Sequence, residues 1–359
     1  MIKSFKFKLR PNKTQENIFY EWLDTCRLIY NLTIEQKKYA WDTHQVDISK
    51  YESYNQLPEL KSEFTWIKNV HSQVLQQTID RVFKAYDGFF KKGGYPKFKK
   101  KGFYNSFTFK RSVSIKNNYI KLPKIGDVKF FNSRHINGNL KTATISKELD
   151  GWYISITADV PVTITPSNNQ AVGIDVGLKH FLTLSNGTFI DSPYFLEPKL
   201  KELKILQRKL SRQKKGSNSR NKTKYKIQKL YLKLTRSRTD FLHKTSTAIT
   251  NLFGEVYIED LNIQKMLKTD SKLSRKMLDN SFYTFRLMLQ YKAKIFKAVN
   301  PAYTSQTCSK CGHVCKDNRK SQAIFDCQSC GHFENADINA AKNILALGKS
   351  FSTKVKPLG

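Results

Sequence analysis

The sequence predicts an α+β protein of several domains, and two observations support that prediction. The chain has 359 residues, of which 39% are hydrophobic, enough for two or three separate cores. Apolar residues recur at helical spacing in some segments and alternate with polar residues in others. The formal net charge is +34, from 63 Lys and Arg against 29 Asp and Glu. Because such an excess repels itself, the composition favours a polyanionic partner over the alternative, a basic solvated surface.

The N-terminal half is predicted to be a small β-barrel interrupted by helices. Residues 1–10, MIKSFKFKLR, alternate apolar and basic side chains as a strand does. Residues 66–92 carry an apolar stripe at helical spacing, and between 93 and 165 short β-type segments alternate with Gly, Asn and Pro turns. We therefore expect a barrel from residues 1–10 and 93–165, with a helical insertion at 11–92.

The C-terminal half is predicted to begin after a linker, TPSNNQ, at residues 165–170. Its predicted elements are a hairpin from 171, two amphipathic basic helices within 197–251, a buried strand at 254–260, a helix at 280–297, a cysteine-rich segment at 304–332, a last helix from near Asp337 and a flexible tail at 349–359. Only KAV separates QYKAKIF, at the end of the predicted 280–297 helix, from NPAYTSQ, which is a short connection.

Four cysteines form two CxxC pairs with the spacing of a zinc ribbon. Cys308 and Cys311 precede Cys327 and Cys330 by 15 intervening residues, and a glycine follows each pair. Each CxxC turn presents two thiolates on one side, so two turns complete a tetrahedron around Zn²⁺. Four thiolates close the coordination shell, so such a zinc would be structural. An iron–sulfur site and a redox pair are the alternatives.

Three carboxylates stand out against the basic background. Asp175 lies within VGIDVG, in an apolar strand where an unbound charge is costly. Glu259 ends the strand VYIE, and Asp337 opens the helix DINAAKNILALG. Taken singly, Glu259 is equally well explained as a solvated strand end and Asp337 as a helix N-cap.

Together these carboxylates predict more, because acids on a hairpin strand, a later strand and a helix start can converge at one edge of a mixed sheet. Three such groups can bind two divalent ions, Mg²⁺ or Mn²⁺, in the arrangement used for phosphodiester hydrolysis. The order of Asp175, Glu259 and Asp337 on these elements is typical of an RNase H-like nuclease.

The sequence also resembles a known family, TnpB, the RNA-guided nucleases of insertion sequences, which are similar to type V CRISPR effectors. The segments GIDVGLKHFLTLSNG, VYIEDLN, YTSQTCSKCG and NADINAAKNIL resemble its RuvC-type motifs and zinc ribbon. KFKLRPNKTQ, CRLIYN, VHSQVLQQ, YPKFKKK and LPKIGDVKFF resemble its N-terminal half, so the resemblance covers nearly the whole chain.

The resemblance implies a wedge β-barrel with a helical recognition insertion, followed by a RuvC-like nuclease domain at 171–303 and 333–348 with a zinc ribbon inserted at 304–332. Asp175, Glu259 and Asp337 match the family's catalytic positions. It further implies a guide non-coding RNA from the end of the element, and double-stranded DNA cut next to a short target-adjacent motif. One RNA would carry either a monomer or a dimer.

Candidate nucleic-acid contacts lie in three places. Residues 199–244 hold 17 Lys or Arg against two acids, which favours a phosphate-tracking surface over a solvated helical hairpin. By the resemblance, residues 71–77 and 103–106 lie where the DNA motif is read, and their polar side chains suit base edges. The candidate residues are Gln73, Gln76, Gln77, Asn105, Ser106, Lys214, Lys215 and Arg220.

Two other functions stay open on the sequence alone. One is a catalytically inactive RNA-guided DNA-binding regulator, and the other is a guide-independent resolvase or transposase with an RNase H fold. The chain has no apolar stretch of bilayer-spanning length and no signal-peptide core at its start, so we expect a cytoplasmic, nucleoid-associated protein without a membrane partner.

Overall fold

A computed structural model describes residues 1–161, 170–261 and 271–352, with the side chains of 271–273 and 351–352 left out. The chain divides into two compact units, Met1–Thr163 and Ile164–Gly359. The linker predicted at 165–170 lies, up to residue 169, outside the described residues. None of the described helices combines the length and apolar character needed to cross a bilayer.

One antiparallel sheet of seven strands organises the first unit, in the order β2-β6-β7-β1-β5-β4-β3. Its strands are β1 (Ile2–Arg10), β2 (Ser106–Lys110), β3 (Ser114–Lys116), β4 (Tyr119–Leu122), β5 (Gly126–Phe130), β6 (Asn139–Glu148) and β7 (Gly151–Asp159). The first strand pairs with β7 and β5, so its predicted union with the strands after residue 93 is confirmed. A closed barrel stays a prediction, because β2 and β3 stand at the two ends of the sheet.

Four α-helices fill the insertion between β1 and β2. They are α1 (Lys13–His44), α2 (Lys50–Asn55), α3 (Leu57–Glu63) and α4 (Ser72–Phe90). The predicted helix at 66–92 starts too early, since Thr65–Asn69 is a 3₁₀ turn and Val70 and His71 are extended. Helix α4 buries Val74, Leu75 and Ile79 in the core shared with the sheet, whereas Phe90, in its last turn, is 77% exposed.

A mixed five-stranded sheet forms the centre of the second unit, in the order β10-β9-β8-β11-β12. Its strands are β8 (Ala171–Val176), β9 (His180–Leu184), β10 (Phe189–Asp191), β11 (Glu255–Glu259) and β12 (Ile295–Val299). Strands β8, β11 and β12 run parallel to one another, and β9 is antiparallel to both of its neighbours, β8 and β10. A small hairpin, β13 (Ile324–Asp326) and β14 (Phe333–Asn335), belongs to the cysteine-rich segment.

The helices of this unit are α5 (Leu200–Arg212), α6 (Asn218–Leu252), α7 (Ser271–Asn280), α8 (Phe282–Lys292) and α9 (Ala336–Ser352). The predicted helix at 280–297 is wrong at its end, because Ala293 is extended and residues 295–299 form β12 beside β11. The short connection KAV, residues 297–299, is therefore part of β12, which is an edge strand of this sheet. Helix α9 continues to Ser352, so the predicted tail begins at least four residues too early, and the rest lies outside the described residues.

Helix α9 lies so close to the sheet that two positions accept only glycine. A β-carbon on Gly173 of β8 would stand 2.1 Å from the Ala341 carbonyl oxygen. One on Gly348 of α9 would stand 2.1 Å from the Tyr257 ring of β11. Through these contacts α9 packs against both β8 and β11. They fix the position of the first turn of α9 relative to the carboxyl ends of the two strands.

We predict that Gly173→Ala lowers the free energy of unfolding by about 1–3 kcal/mol, because backbone rather than a flexible side chain occupies the space. Gly88→Ala is the control, since a β-carbon there meets nothing within 4 Å, and the change should be neutral or stabilising by about 1 kcal/mol. Urea unfolding of both variants measures the difference. Equal stability of Gly173→Ala and the unmodified chain would contradict the close packing of α9.

Candidate functional site

Asp175 and Glu259 lie side by side at the carboxyl ends of two parallel strands. The register pairs Ile258 of β11 with Ile174 of β8, so the two acids that follow occupy neighbouring positions. Ile174 and Ile258 are buried in the core of the sheet, while both carboxyl groups are half-buried where the strands end. On both strands a buried isoleucine is therefore followed by an acid, and the two acids stand at matching positions.

Asp337 comes from the first turn of α9. Its alternative role as the N-cap is wrong, because the Asn335 side chain accepts the hydrogen bonds from the backbone N–H groups of Asp337 (2.9 Å) and Ile338 (3.2 Å). The carboxylate is thus not engaged in capping. The packing of α9 over Gly173 carries Asp337 to the end of β8, beside Asp175.

The Asp175 carboxylate lies within range of the charges of both Glu259 and Asp337. Burial raises the pKa of Asp175 well above its ordinary value of 3.8, and the charges of Glu259 and then Asp337 raise it further, while Arg319 opposes them. Burial also raises the pKa of Glu259, against a hydrogen bond from Thr304. Carboxyl oxygens are the ligands that hard divalent cations prefer, and a bound cation would favour the ionised form that burial opposes, so the donor chemistry suits such an ion.

The spacing of these acids differs from that of a single-ion cage. Over residues 1–161, 170–261 and 271–352, the set of potential ligand atoms that all lie within 4.8 Å of one another is that of the four cysteines. The oxygen atoms of Asp175, Glu259 and Asp337 are therefore spread more widely.

The four cysteines converge as their spacing predicts. The Sγ atoms of Cys308 and Cys330 are 3.7 Å apart, and those of Cys311 and Cys327 are 3.6 Å apart. Four thiolates about 2.3 Å from one ion lie roughly 3.8 Å from each other in a tetrahedron, so the set fits Zn²⁺.

The two CxxC turns are built alike. Each first cysteine donates its backbone N–H to a histidine carbonyl, Cys308 to His313 (2.9 Å) and Cys327 to His332 (3.0 Å). The glycine after each pair has positive φ, 77° at Gly312 and 66° at Gly331, as expected for tight turns.

Two side chains that sequence reasoning missed connect the cysteine-rich segment to the acids. The Thr304 hydroxyl donates to Glu259 Oε1 at 2.6 Å. The Arg319 guanidinium lies 3.3 Å from Asp337 Oδ1 and lowers the pKa of Asp175 and Glu259 through its charge. Threonine and arginine are common in this chain, so only the fold distinguishes these two from the rest.

The structure engages several of the proposed DNA-reading residues in contacts of their own. Gln73 Nε2 donates to the Ser112 hydroxyl (3.1 Å), and Gln77 Nε2 donates to Asp80 (2.6 Å). The Ser106 carbonyl accepts from Arg81 Nη1 (2.6 Å). Gln76 and Asn105 are exposed and are the members of the set best placed to contact a ligand.

Two of the basic candidates lie at the turn between α5 and α6, and the third lies in the first turn of α6. Lys214 and Lys215 are exposed beside Gly216, whose φ is 86°. Arg220 instead donates to the carbonyls of Leu210 and Gln213 (3.1 Å to the latter), so it caps the end of α5. A contact between Arg220 and nucleic acid would compete with that structural role.

Comparison with known proteins identifies related families along most of the chain. A family described as "Probable transposase" matches residues 154–270, one described as "Cas12f1-like, TNB domain" matches 282–344, and one described as "Helix-turn-helix domain" matches 1–45. The second match spans the cysteine-rich segment and the first half of α9.

Relatives and a solved structure match nearly the full length. A protein of Escherichia coli (strain K12) named "Putative RNA-guided DNA endonuclease InsQ" is 37% identical over 97% of this chain and 92% of its own. A Streptomyces pristinaespiralis protein of the same descriptive name is 30% identical over 98% and 90%. The cryo-EM structure of CasPhi-2 (Cas12j) bound to crRNA and phosphorothioate-DNA has a TM-score of 0.51 at 13% identity, covering 96% of this chain and 91% of that one, which shows a shared fold.

We predict that Cys308→Ser releases the zinc and lowers the melting temperature, because a tetrathiolate site couples metal binding to folding. The half-exposed Cys315, whose Sγ lies near Asp317, is the matched control, and Cys315→Ser should retain one zinc per chain. Metal analysis after gel filtration measures both. Full zinc content in Cys308→Ser would contradict the assignment.

We predict that Asp175→Asn raises the melting temperature at neutral pH in magnesium-free buffer. Because the pKa of Asp175 is higher in the folded chain than its unfolded value, the ionised carboxylate destabilises the fold as pH rises through the folded-state pKa. The gain should narrow as the pH falls and the acid of the unmodified chain is protonated. Asp191→Asn is the control that should change stability little, because that side chain is 83% exposed and an amide oxygen can keep the 2.7 Å contact with His180 Nδ1. A gain independent of pH would contradict the electrostatic origin.

Proposed function

The chain belongs to the TnpB family, and from that premise we propose that it is an RNA-guided, divalent-metal-dependent DNA endonuclease of a transposable element. The observation that supports this most directly is the meeting of Asp175, Glu259 and Asp337 at one end of the mixed sheet. The near full-length similarity to relatives named RNA-guided DNA endonucleases supplies the substrate class. The second unit has an α+β, RuvC-like fold, consistent with its Cas12 structural neighbour.

In this proposal Asp175, Glu259 and Asp337 hold Mg²⁺ or Mn²⁺, with two ions shared among them. Such ions supply a water of lowered pKa for in-line attack and stabilise charge on the leaving 3′ oxygen. The chain's own part is to keep the ligands oriented, since Thr304 fixes one oxygen of Glu259. Arg319 holds Asp337 and offsets part of the negative charge when the ions are absent.

The four-cysteine segment, residues 304–332, is proposed as a zinc ribbon inserted between β12 and α9. With all four positions taken by thiolates, its zinc has no place for a water or a substrate. Its contribution is therefore structural. The match of residues 282–344 to the Cas12f1-like TNB domain supports this assignment.

The first unit is proposed to be the wedge domain with its recognition insertion, residues 1–10 and 93–165 around 11–92. Exposed Gln76 and Asn105 are the proposed readers of the target-adjacent motif. In the second unit, the 17 Lys and Arg of 199–244 suit the phosphates of a guide–target duplex, with Lys214 and Lys215 exposed at the turn. Partners are then a guide RNA from the element end and double-stranded DNA, on which the chain acts as a monomer or a dimer.

A regulator that binds DNA without cutting is the competing function, and the convergence of three acids argues against it. Burial of the Asp175 carboxyl group is energetically unfavourable, and a protein that only binds DNA gains nothing from it. A guide-independent recombinase has no specific observation in its favour.

We predict that Asp175→Ala, Glu259→Gln and Asp337→Asn each reduce cleavage of a guide-matched duplex by at least about 100-fold, because removing a metal ligand forfeits roughly 3 kcal/mol of charge stabilisation. Guide-RNA affinity should stay within about twofold of the unmodified chain, because none of the three acids belongs to the basic segment 199–244. Cleavage is followed on gels with Mg²⁺, and RNA affinity by filter binding.

Asp191→Asn is the matched control, an acid at the far edge of the same sheet that is 83% exposed, and it should cut normally. Cleavage by Asp175→Ala would remove the catalytic assignment. Guide-dependent DNA binding without any cleavage by the unmodified chain would instead establish the regulator.

A further inference from the structure

Two asparagines of helix α9 share one face, and a third precedes the helix. Asn339 and Asn343 are four residues apart within α9, and Asn335 is the last residue of β14. Asn335 caps the helix, whereas Asn339 and Asn343 are 0% and 7% exposed. Two fully buried amides in the middle of a helix require specific partners.

Those partners are the backbone of the first zinc knuckle. Asn343 Nδ2 donates to the carbonyls of Thr304 (2.9 Å) and Thr307 (2.6 Å). Asn339 Nδ2 donates to the Thr307 carbonyl (2.8 Å), and its Oδ1 accepts from the Ser309 N–H (2.9 Å). The four hydrogen bonds grip the chain on both sides of Cys308, which is itself 1% exposed.

A third buried asparagine connects the two CxxC turns of the cysteine-rich segment. Asn318 is 0% exposed and donates from Nδ2 to the carbonyls of Gln306 (2.9 Å) and His313 (3.1 Å). Its Oδ1 accepts from the Gln328 N–H (2.9 Å), next to Cys327, so it ties the two knuckles together. The following residue is Arg319, which reaches Asp337.

We propose that Asn339 and Asn343 are positioning residues, which clamp the zinc ribbon onto α9 and thereby set the geometry of the carboxylate site. The ribbon touches that site at two points, the Thr304 hydroxyl on Glu259 and the Arg319 guanidinium on Asp337. A zinc-bound ribbon can keep Thr304 on Glu259 and Arg319 on Asp337 only if its position relative to α9 is fixed. The inference rests on the proposed nuclease for its cleavage readout and on the proposed divalent-ion site for its Mn²⁺ readout, whereas its zinc readout is independent of both.

The direct test replaces the amides and leaves the thiolates alone. Asn343→Asp keeps the size of the side chain but removes both N–H donors, and Asn343→Ala removes them without adding a charge. In both we expect one zinc per chain and an unchanged thiolate-to-metal absorption spectrum after Co²⁺ substitution. We also expect the affinity of the acids for Mn²⁺, measured by electron paramagnetic resonance, to fall about tenfold, with cleavage falling by about 10–100-fold, the range for residues that orient metal ligands.

Asn251→Asp is the matched control, the same exchange at an exposed position in the last turn of α6, and it should match the unmodified chain in every readout. Asn318→Ala is a second comparison. Because Asn318 lies inside the ribbon, its loss should speed zinc release, which the α9 variants should not do.

A coupling measurement distinguishes positioning from simple stability. If zinc acts on the acids through the clamp, Cys308→Ser alone weakens Mn²⁺ binding. The same change made together with Asn343→Ala then causes little further loss of Mn²⁺ affinity beyond that of Asn343→Ala alone. Unchanged Mn²⁺ affinity in Asn343→Ala, fully additive losses in the double variant, or loss of zinc from Asn343→Ala would each overturn the proposal. If the unmodified chain with its RNA does not cut DNA, the proposed function fails, while the Mn²⁺ measurement still decides the clamp.

Discussion

The contact between α9 and the mixed sheet is the constraint on which the candidate site depends. Gly173 and Gly348 let the helix backbone and the Tyr257 ring approach to distances that any side chain would block. That approach brings an acid from far along the chain to the ends of two adjacent strands. Without it Asp175 and Glu259 would remain neighbours through strand pairing alone, and the third carboxylate and the ribbon would have no fixed place.

The cost of assembling the acids shows how the site is balanced. Asp175 is held where burial and two like charges oppose its ionisation, so the fold stores unfavourable electrostatic energy there. Arg319 relieves part of it, and bound cations would relieve more. Stability and activity are therefore opposed at this position, and the tight packing of α9 over Gly173 is what keeps the repelling groups together.

The sequence predicted the parts of this protein that local pattern determines. The first strand, the hairpin at 171–191, the buried strand before Glu259 and the CxxC knuckles all follow from alternation or fixed spacing. Prediction failed where tertiary contacts decide, as at residues 295–299, whose place beside β11 makes a strand of what continued a helical pattern. Arg319 and Thr304 were invisible for the same reason, since their importance comes from partners 18 and 45 residues away.

The late position of α9 along the chain bears on what incomplete protein would do. Synthesis passes the basic helices α5 and α6 and the strands with Asp175 and Glu259 well before it reaches Asp337 and the asparagines. A fragment ending before residue 336 would contain Asp175, Glu259 and the basic helices, but it would lack Asp337 and the helix that packs over Gly173. Synthesis through α9 is therefore a condition for bringing the three carboxylates together.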